Sequence, residues 1–223
     1  MVITNQNLGN ESFNYEDVAM YRKYGWSSAD CTPAHKYLLP RITTLIPQNV
    51  QRILDAGCGN GYLAGKLADL GYEVIGIDIA EDGIAIAKER YPAQKFLVAS
   101  VYDDLLPMIG PVDLVVSSEV IEHLYYPKSF LLNMYRVIRP NGWIILTTPY
   151  HGYLKNLLLS ILNYWDKHFT VDWEGGHIKF FSPKTLGKLL LETGFTDLRF
   201  CNAGRMRWLW KSMVCRAQKK RQI

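Results

Sequence analysis

The run Leu54-Asp55-Ala56-Gly57-Cys58-Gly59-Asn60-Gly61 closes an apolar stretch, and Val74-Ile75-Gly76-Ile77-Asp78 follows after a helix-length gap. Glycines at alternate positions let a chain turn sharply from strand to helix and let its backbone approach a ligand that a Cβ would keep away. An acid about 20 residues further on is at the spacing that brings the end of a second strand, and its carboxylate, to the two hydroxyls of a ribose. These two segments predict a site for an adenosine-bearing molecule; the alternative is a glycine loop that only turns. A second group of reactive side chains lies in Ser117-Ser118-Glu119-Val120-Ile121-Glu122-His123. On a helix begun there, Glu119, Glu122 and His123 stand at i, i+3 and i+4, so one face carries two carboxylates and an imidazole. Such a set can hold a divalent cation, Mg²⁺ through its oxygens or Zn²⁺ with the imidazole as well, or it can serve only as a helix start and packing element.

A dinucleotide fingerprint needs its third glycine where this chain has Tyr62; here the third glycine is Gly61. Asp55, at the strand end, would repel a diphosphate and attract the ammonium group of an amino-acid-bearing cofactor. S-adenosylmethionine has that composition. The glycine run resembles the first motif of class I S-adenosylmethionine-dependent methyltransferases, and Ile77-Asp78-Ile79 resembles their second. Over most of the chain the resemblance narrows to the ubiquinone-biosynthesis O-methyltransferases and their uncharacterised bacterial relatives. It implies cofactor contacts from Lys36, Asp55, Gly57, Cys58, Gly59, Gly61, Asp78, Ile79, Val101, Tyr102 and Ser118. Lys36, in Pro33-Ala34-His35-Lys36, stands where that group places a basic residue near the cofactor's carboxylate. Arginine is usual there, and lysine keeps the charge without the fork geometry. Where relatives often have an acid after the third strand, this chain has Ser100, so Val101 and Tyr102 can sandwich the adenine with Ile79, and Asp103 can reach its exocyclic amine. Some members of the group bind a metal through a Glu-x-x-Glu-His set that a later histidine completes. That implies Glu119, Glu122, His123 and His177 as ligands, the last from Gly175-Gly176-His177-Ile178-Lys179-Phe180-Phe181-Ser182-Pro183. His177 is the first candidate for general base, with His123 and Glu119 as the other catalytic candidates.

Positioning these residues calls for alternating strands and helices. Strand-like runs lie at Arg52 to Ala56, Glu73 to Asp78, Lys95 to Ala99, Val112 to Ser117 and Gly142 to Thr148. Helical patterns separate or follow them near Gly61 to Leu70, Glu81 to Arg90, Pro127 to Ile138 and Pro183 to Thr193, the last two opening with proline and the final one stopped by Gly194. Two further strands, Thr196 to Cys201 and Leu209 to Ala217, complete the pattern. The expected fold is α/β, a Rossmann-like seven-stranded, mostly parallel sheet with helices on both faces and the last strand antiparallel. One domain covers residues 1–223, with no internal repeat.

Two segments outside this rhythm are expected to build the acceptor side. Residues 1–48, rich in aromatics at Tyr15, Tyr21, Tyr24 and Trp26, suit a helical lid or plain helix-on-sheet packing. Residues 150–176 form an insertion capping the active site; its run 153–165 is interrupted by Lys155, Asn156 and Asn163 and falls short of the roughly 20 apolar residues of a membrane span. An apolar cap over a hydrophobic acceptor is the leading expectation for it, with a peripheral membrane contact or a dimer face as the others.

A chain of 223 residues with 48% hydrophobic content can bury a substantial core, and its formal net charge of +4 is nearly balanced. That balance argues against the broad basic face of a nucleic-acid enzyme, and Lys219-Lys220-Arg221 reads as a solvated tail. Cys31, Cys58, Cys201 and Cys215 have no metal-type spacing and no preceding signal-peptide pattern, which points to free thiols in a reducing, cytoplasmic setting. The expected function is methyl transfer from S-adenosylmethionine to a hydroxyl of a small, partly hydrophobic acceptor, phenolic, isoprenoid or another natural product. A sugar or lipid-linked saccharide acceptor, an RNA methyltransferase and a non-catalytic cofactor-binding protein are the alternatives. The chain is expected to act as a monomer or homodimer.

Overall fold

A computed structural model describes residues 25–169, 175–205 and 209–220. Its strands are β1 (Arg52–Ala56), β2 (Glu73–Asp78), β3 (Lys95–Val98), β4 (Val112–Ser118), β5 (Ile138–Pro149), β6 (Phe195–Ala203) and β7 (Ser212–Lys219). They form one sheet in the order β3-β2-β1-β4-β5-β7-β6, parallel throughout except that β7 runs antiparallel to both of its neighbours. The helices are α1 (His35–Leu45), α2 (Tyr62–Asp69), α3 (Glu81–Arg90), α4 (Leu105–Ile109), α5 (Pro127–Val137), α6 (Tyr153–Ile161), α7 (Trp165–Phe169) and α8 (Pro183–Glu192).

Strands buried on both faces need near-continuous apolar sequence, and neighbouring residues here serve opposite layers. Ile53, Leu114 and Val116 pack under α1, α2 and α3 with Leu38, Ile42, Leu63, Leu67 and Ile84. Leu54, Val115 and Leu146 pack on the other side with Phe130, Leu131 and Met134 of α5 and Leu186 and Leu190 of α8. Strand order reverses between β1 and β4, and in such sheets the crevice beyond the strand ends at that reversal is the usual ligand site. Asp55, Gly57, Gly59 and Asp78 line a cavity there.

Tight turns bring the chain into the crevice. Gly61 caps α2 with φ 75°, and a Cβ on it would stand 2.6 Å from the Ala87 Cβ and 3.1 Å from the Phe96 ring. Left-handed backbone costs a residue with a Cβ about 1–2 kcal/mol before any clash. Gly61→Ala is therefore expected to destabilise the protein by about 2 kcal/mol or more and to lower Tm by several degrees in a thermal melt.

Two expectations need correction. The last strand starts at Ser212 and runs to Lys219. Lys219 is not part of a solvated tail: its Nζ donates to the carbonyls of Tyr135 and Ile138 at 2.7 and 2.6 Å, satisfying groups that the end of α5 leaves open. Arg221, like Tyr15, Tyr21 and Tyr24, lies outside the described residues. The four cysteines are free thiols, and no helix among the described residues is long and apolar enough to cross a membrane.

Candidate active site

The first turn after β1 is pinned over the end of β2. The N–H groups of Gly57 and Cys58 both donate to the Ile77 carbonyl, at 2.8 and 2.9 Å. Asp78 accepts from the N–H of Gly59 at 2.8 Å and of Ala80 at 2.9 Å, so its carboxylate holds the loop while a lone pair on each oxygen stays available. Gly57 and Gly59 have φ of 83° and 53°. A Cβ on Gly59 would collide with the indole of Trp26, which lies across the loop and lines the crevice. Asn60 ties that incoming segment down, its Nδ2 donating to the carbonyls of Ser28 and Asp30. The result is a cavity of about 680 Å³, the size of a cofactor site.

Asp55 is buried at the end of β1 beside this cavity, and neither of its oxygens has a hydrogen-bond partner among the described residues. Burial, and then the charge of Asp78, push its pKa up to about 7; the Ala64 N–H eases that shift without reaching hydrogen-bond geometry. A buried carboxylate without a partner is costly, and a ligand ammonium would satisfy it. Because the pKa is raised in the free fold, the stability Asp55 contributes is present below its ordinary value of 3.8 and is lost as pH rises through about 7. A cation beside it reverses the preference, so binding expels a proton. Affinity for a ligand carrying an ammonium is expected to rise between about pH 5.5 and 7.5. The calorimetric enthalpy should then vary with the buffer's ionisation enthalpy, and both effects should vanish in Asp55→Asn.

Beyond Asp78, the flank of the cavity is apolar. Ile79 is 72% exposed and lines the cavity, as do Val101 and Tyr102 on a loop held by Asn133, whose Nδ2 donates to the carbonyls of Val101 and Asp103. An apolar flank of this kind suits a flat ring. The Asp103 carboxylate is turned away, accepting from the Ser100 N–H at 2.8 Å, and it does not line the cavity.

The acidic segment after β4 is not a continuous helix. Glu119 has φ 55°, and a single 3-10 turn, Ile121–His123, begins only after that reversal. The i, i+3, i+4 face expected from the spacing therefore does not form. The Glu119 carboxylate accepts from the Thr147 hydroxyl at 2.8 Å and the Ser212 hydroxyl at 3.2 Å, and burial pushes its pKa up to about 7 against those two bonds. Glu122 is fully buried, with neither oxygen hydrogen-bonded among the described residues; burial and the charge of Glu119 hold it well above the carboxylate range. Its main-chain carbonyl accepts from the N–H groups of Ile178 and Lys179 at 3.0 and 2.9 Å, which seats the segment after Gly176 on the 3-10 turn.

That seat brings His177 to His123. Their ring centroids are 4.8 Å apart, and each Nε2 is 4.0 Å from Glu122 Oε1. Burial lowers both imidazole pKa values, that of His177 to about 4, so His177 is neutral at pH 7. One ligand atom from each of Glu122, His123 and His177 lies within 4.8 Å of the other two. One carboxylate and two imidazoles form a donor set suited to Zn²⁺ more than to Mg²⁺. Glu119 is outside the set because its oxygens face Thr147 and Ser212.

A second cavity of about 250 Å³ opens behind the first, and Glu119 and His177 line both. Its other polar side chains include Lys155 from α6, His168 from α7, and Arg205 and Lys211 from the ends of β6 and β7. Among its described residues the insertion therefore turns a lysine and two histidines, not an apolar face, to this cavity. Lys155 faces inward, whereas Tyr153, Ile161 and Leu162 are 82, 69 and 65% exposed and line neither cavity.

Asp55, Gly57, Cys58, Gly59, Asp78, Ile79, Val101, Tyr102, Ser118, Glu119, His123 and His177 all line the first cavity. Lys36 does not. Helix α1 buries Leu38 and Ile42, and His35 shares that side of the helix while Lys36 turns to solvent. The residue of this pair at the cavity is His35, stacked on Tyr62 at 4.9 Å between centroids. Gly61 also lies outside the lining, its conformation serving the packing of α2 on α3 and β3.

A parallel sheet reversing at β1/β4, a glycine loop pinned by the acid of the next strand and an unpartnered aspartate beneath define a class I cofactor-binding fold. The chain belongs to the methyltransferase domain family, whose profile matches residues 28–199. It is 28% identical over 159 residues to the ubiquinone biosynthesis O-methyltransferase of Thiobacillus denitrificans, covering 69% of this chain and 68% of that protein. It is 39% identical over 97 residues to a protein of Mycolicibacterium smegmatis named as a probable S-adenosylmethionine-dependent methyltransferase, covering 44% of this chain and 37% of that one. With 54% of a Mycobacterium tuberculosis relative covered, the chain spans about a third to a half of the mycobacterial proteins it matches. Among solved structures, an S-adenosylmethionine-dependent methyltransferase from Archaeoglobus fulgidus superposes with TM-score 0.63 at 21% identity, over 82% of this chain and 93% of that one. Phosphoethanolamine N-methyltransferase 2 of Haemonchus contortus, in complex with S-adenosylmethionine, gives 0.61 at 18% identity, over 82% and 52%. At such identities the likeness is one of fold. The residues present fit S-adenosylmethionine: Asp55 has unpartnered oxygens that would take its ammonium, Asp78 has lone pairs that would take its ribose hydroxyls, and Ile79, Val101 and Tyr102 offer apolar lining that would suit its adenine.

Proposed function

We propose that this protein transfers the methyl group of S-adenosylmethionine to a hydroxyl on a small acceptor, a phenol, isoprenoid or related natural product, held where the two cavities meet. The observation that carries this reading is that Glu119 and His177 line both cavities, so one side chain of each type faces cofactor and acceptor together. Similarity to the ubiquinone biosynthesis O-methyltransferases supports a hydroxyl over an amine as the acceptor.

S-adenosylmethionine, when bound, supplies a methyl group on a positively charged sulfur, already activated for in-line displacement. The protein's task is positioning and proton removal. The glycine loop and Asp78 fix the nucleoside end, and Asp55 fixes the amino-acid end. His177 is neutral and so able to take the acceptor's proton. For a phenol of pKa near 10, removing that proton raises nucleophilicity strongly. A cation held by Glu122, His123 and His177 would lower the hydroxyl pKa by another route, and the reading does not depend on it.

The test is a panel of hydroxylated and amino acceptors incubated with enzyme and S-adenosylmethionine, products being read by mass spectrometry with and without chelator. A methyl ether formed in step with S-adenosylhomocysteine is the expected result. Product from amines alone would overturn the hydroxyl reading. Activity lost on chelation and restored by Zn²⁺ would replace His177 as base with a bound cation.

A further inference from the structure

We infer that the second cavity is the seat of a phosphoryl group on the acceptor, so that the hydroxyl to be methylated belongs to a phosphate monoester. This rests on the methyl-transfer reading above and names the substrate class for the same site. The sequence offered no hint of it, because the cavity is assembled from separate segments: Lys155 of the insertion, Arg205 after β6, Lys211 before β7, with His151 and His168 between them.

Charge is the first argument. Among the described residues no carboxylate stands within 4 Å of Lys155, Arg205 or Lys211, although eight lysine and arginine side chains are paired with acids elsewhere. Glu119 is the acid lining this cavity, and its oxygens are committed to the hydroxyls of Thr147 and Ser212. Lys155, Arg205 and Lys211 bring three positive charges to a space in which Glu119 is the lining acid among the described residues, and such an excess of positive charge is offset where a ligand supplies the opposite charge. Two negative charges match that excess better than the single charge of a carboxylate.

Geometry is the second. The cavity, about 250 Å³, is small for a whole acceptor and suits a compact head group. A guanidinium offers a planar fork to paired phosphoryl oxygens, and two ammonium groups can engage the remaining oxygens as point charges. Lys155 Nζ already donates to the Tyr150 carbonyl at 3.0 Å, which aims the side chain inward and leaves two of its three N–H donors for a ligand. Trp210, held edge to face on Tyr150 at 5.5 Å between centroids, and Tyr37, whose ring lies 5.3 Å from Lys211 Nζ, wall the site. A head group seated there places its attached carbon skeleton toward Glu119 and His177, at the junction with the cofactor cavity. The insertion's own pattern now has a reason: the lysine that interrupts its apolar run is the one that faces inward.

The experiment is calorimetric titration of the full chain at constant ionic strength, with and without S-adenosylhomocysteine. The probes are phenyl phosphate, inorganic phosphate, benzoate and a short single-stranded RNA. Saturable 1:1 binding of phenyl phosphate, about tenfold or more tighter than benzoate, is expected. Lys155→Gln/Arg205→Gln should weaken it about tenfold or more, and the more exposed Lys211→Gln by a few-fold, while S-adenosylhomocysteine affinity stays within about twofold. Phenyl phosphate that does not saturate, that binds the variants as well as the wild type, or that binds no tighter than benzoate would overturn the inference. RNA binding tighter than phenyl phosphate would overturn it as well, by assigning the cations to a strand backbone. Failure of S-adenosylhomocysteine to bind the wild type would sink the methyl-transfer reading instead, and the titrations made without it would still report on the phosphoryl site.

Discussion

His177→Ala is expected to lower turnover by about 10² to 10⁴, the range that a positioned general base contributes, with cofactor affinity changed by less than about twofold. The separation follows from where the side chain sits. Nothing in the glycine loop or around Asp78 hydrogen-bonds to His177; its neighbours are His123 and Glu122, and it lines the cofactor cavity where that cavity meets the second. Its neutral state is imposed by burial first, with the His123 ring and the Lys155 charge adding to it. Single-turnover kinetics and a calorimetric titration on the same preparation check the prediction. Equal loss of turnover and cofactor binding would show that the imidazole only supports the wall between the cavities.

Asp78→Ala is expected to act on the other quantity. The wild-type carboxylate accepts from the N–H groups of Gly59 and Ala80 and lines the cofactor cavity. Hydrogen bonds to a charged group contribute about 1.5–3 kcal/mol each, and losing two ribose contacts corresponds to about 10² to 10⁴ in cofactor affinity. The loop also loses the acceptor that holds Gly59, so the free protein should melt at lower temperature. Asp78→Asn keeps the shape and one acceptor oxygen but replaces the other with an NH2 donor and removes the charge, so it should fall between wild type and alanine in the same titration.

Much of the cofactor side was legible in the sequence because each of its signals is local. A glycine that must adopt φ 83° or 53° and an acid at the next strand end carry their own geometric reasons, and Gly57, Gly59, Asp55 and Asp78 are where those reasons place them. The strands were legible for a similar cause, since burial on both faces writes continuous apolar runs into β1, β2 and β4. Lys36 shows how a resemblance can displace such evidence. The spacing of Leu38 and Ile42 already puts His35, not Lys36, on the inward side of α1, and that periodicity was there to be read. Glu119 failed for a different reason: the expected shared face needed a helix running through Glu119 to His123, and one positive φ at Glu119 delays the turn and sends the carboxylate to Thr147 and Ser212. No window of sequence contains the second cavity. Tyr37, Glu119, Lys155, His168, Arg205 and Lys211 meet only because β7 folds back between β5 and β6 and the insertion covers the strand ends.

The decisive measurement is a calorimetric titration of the full chain with S-adenosylmethionine, repeated on Asp78→Ala. The site described here requires saturable 1:1 binding to the wild type, with proton release near pH 7 from Asp55, and binding reduced by about two orders of magnitude or more in the variant. Absence of binding to the wild type, with or without added Zn²⁺ or Mg²⁺, would contradict the assignment of the cavity between Asp55 and Asp78 as a cofactor site.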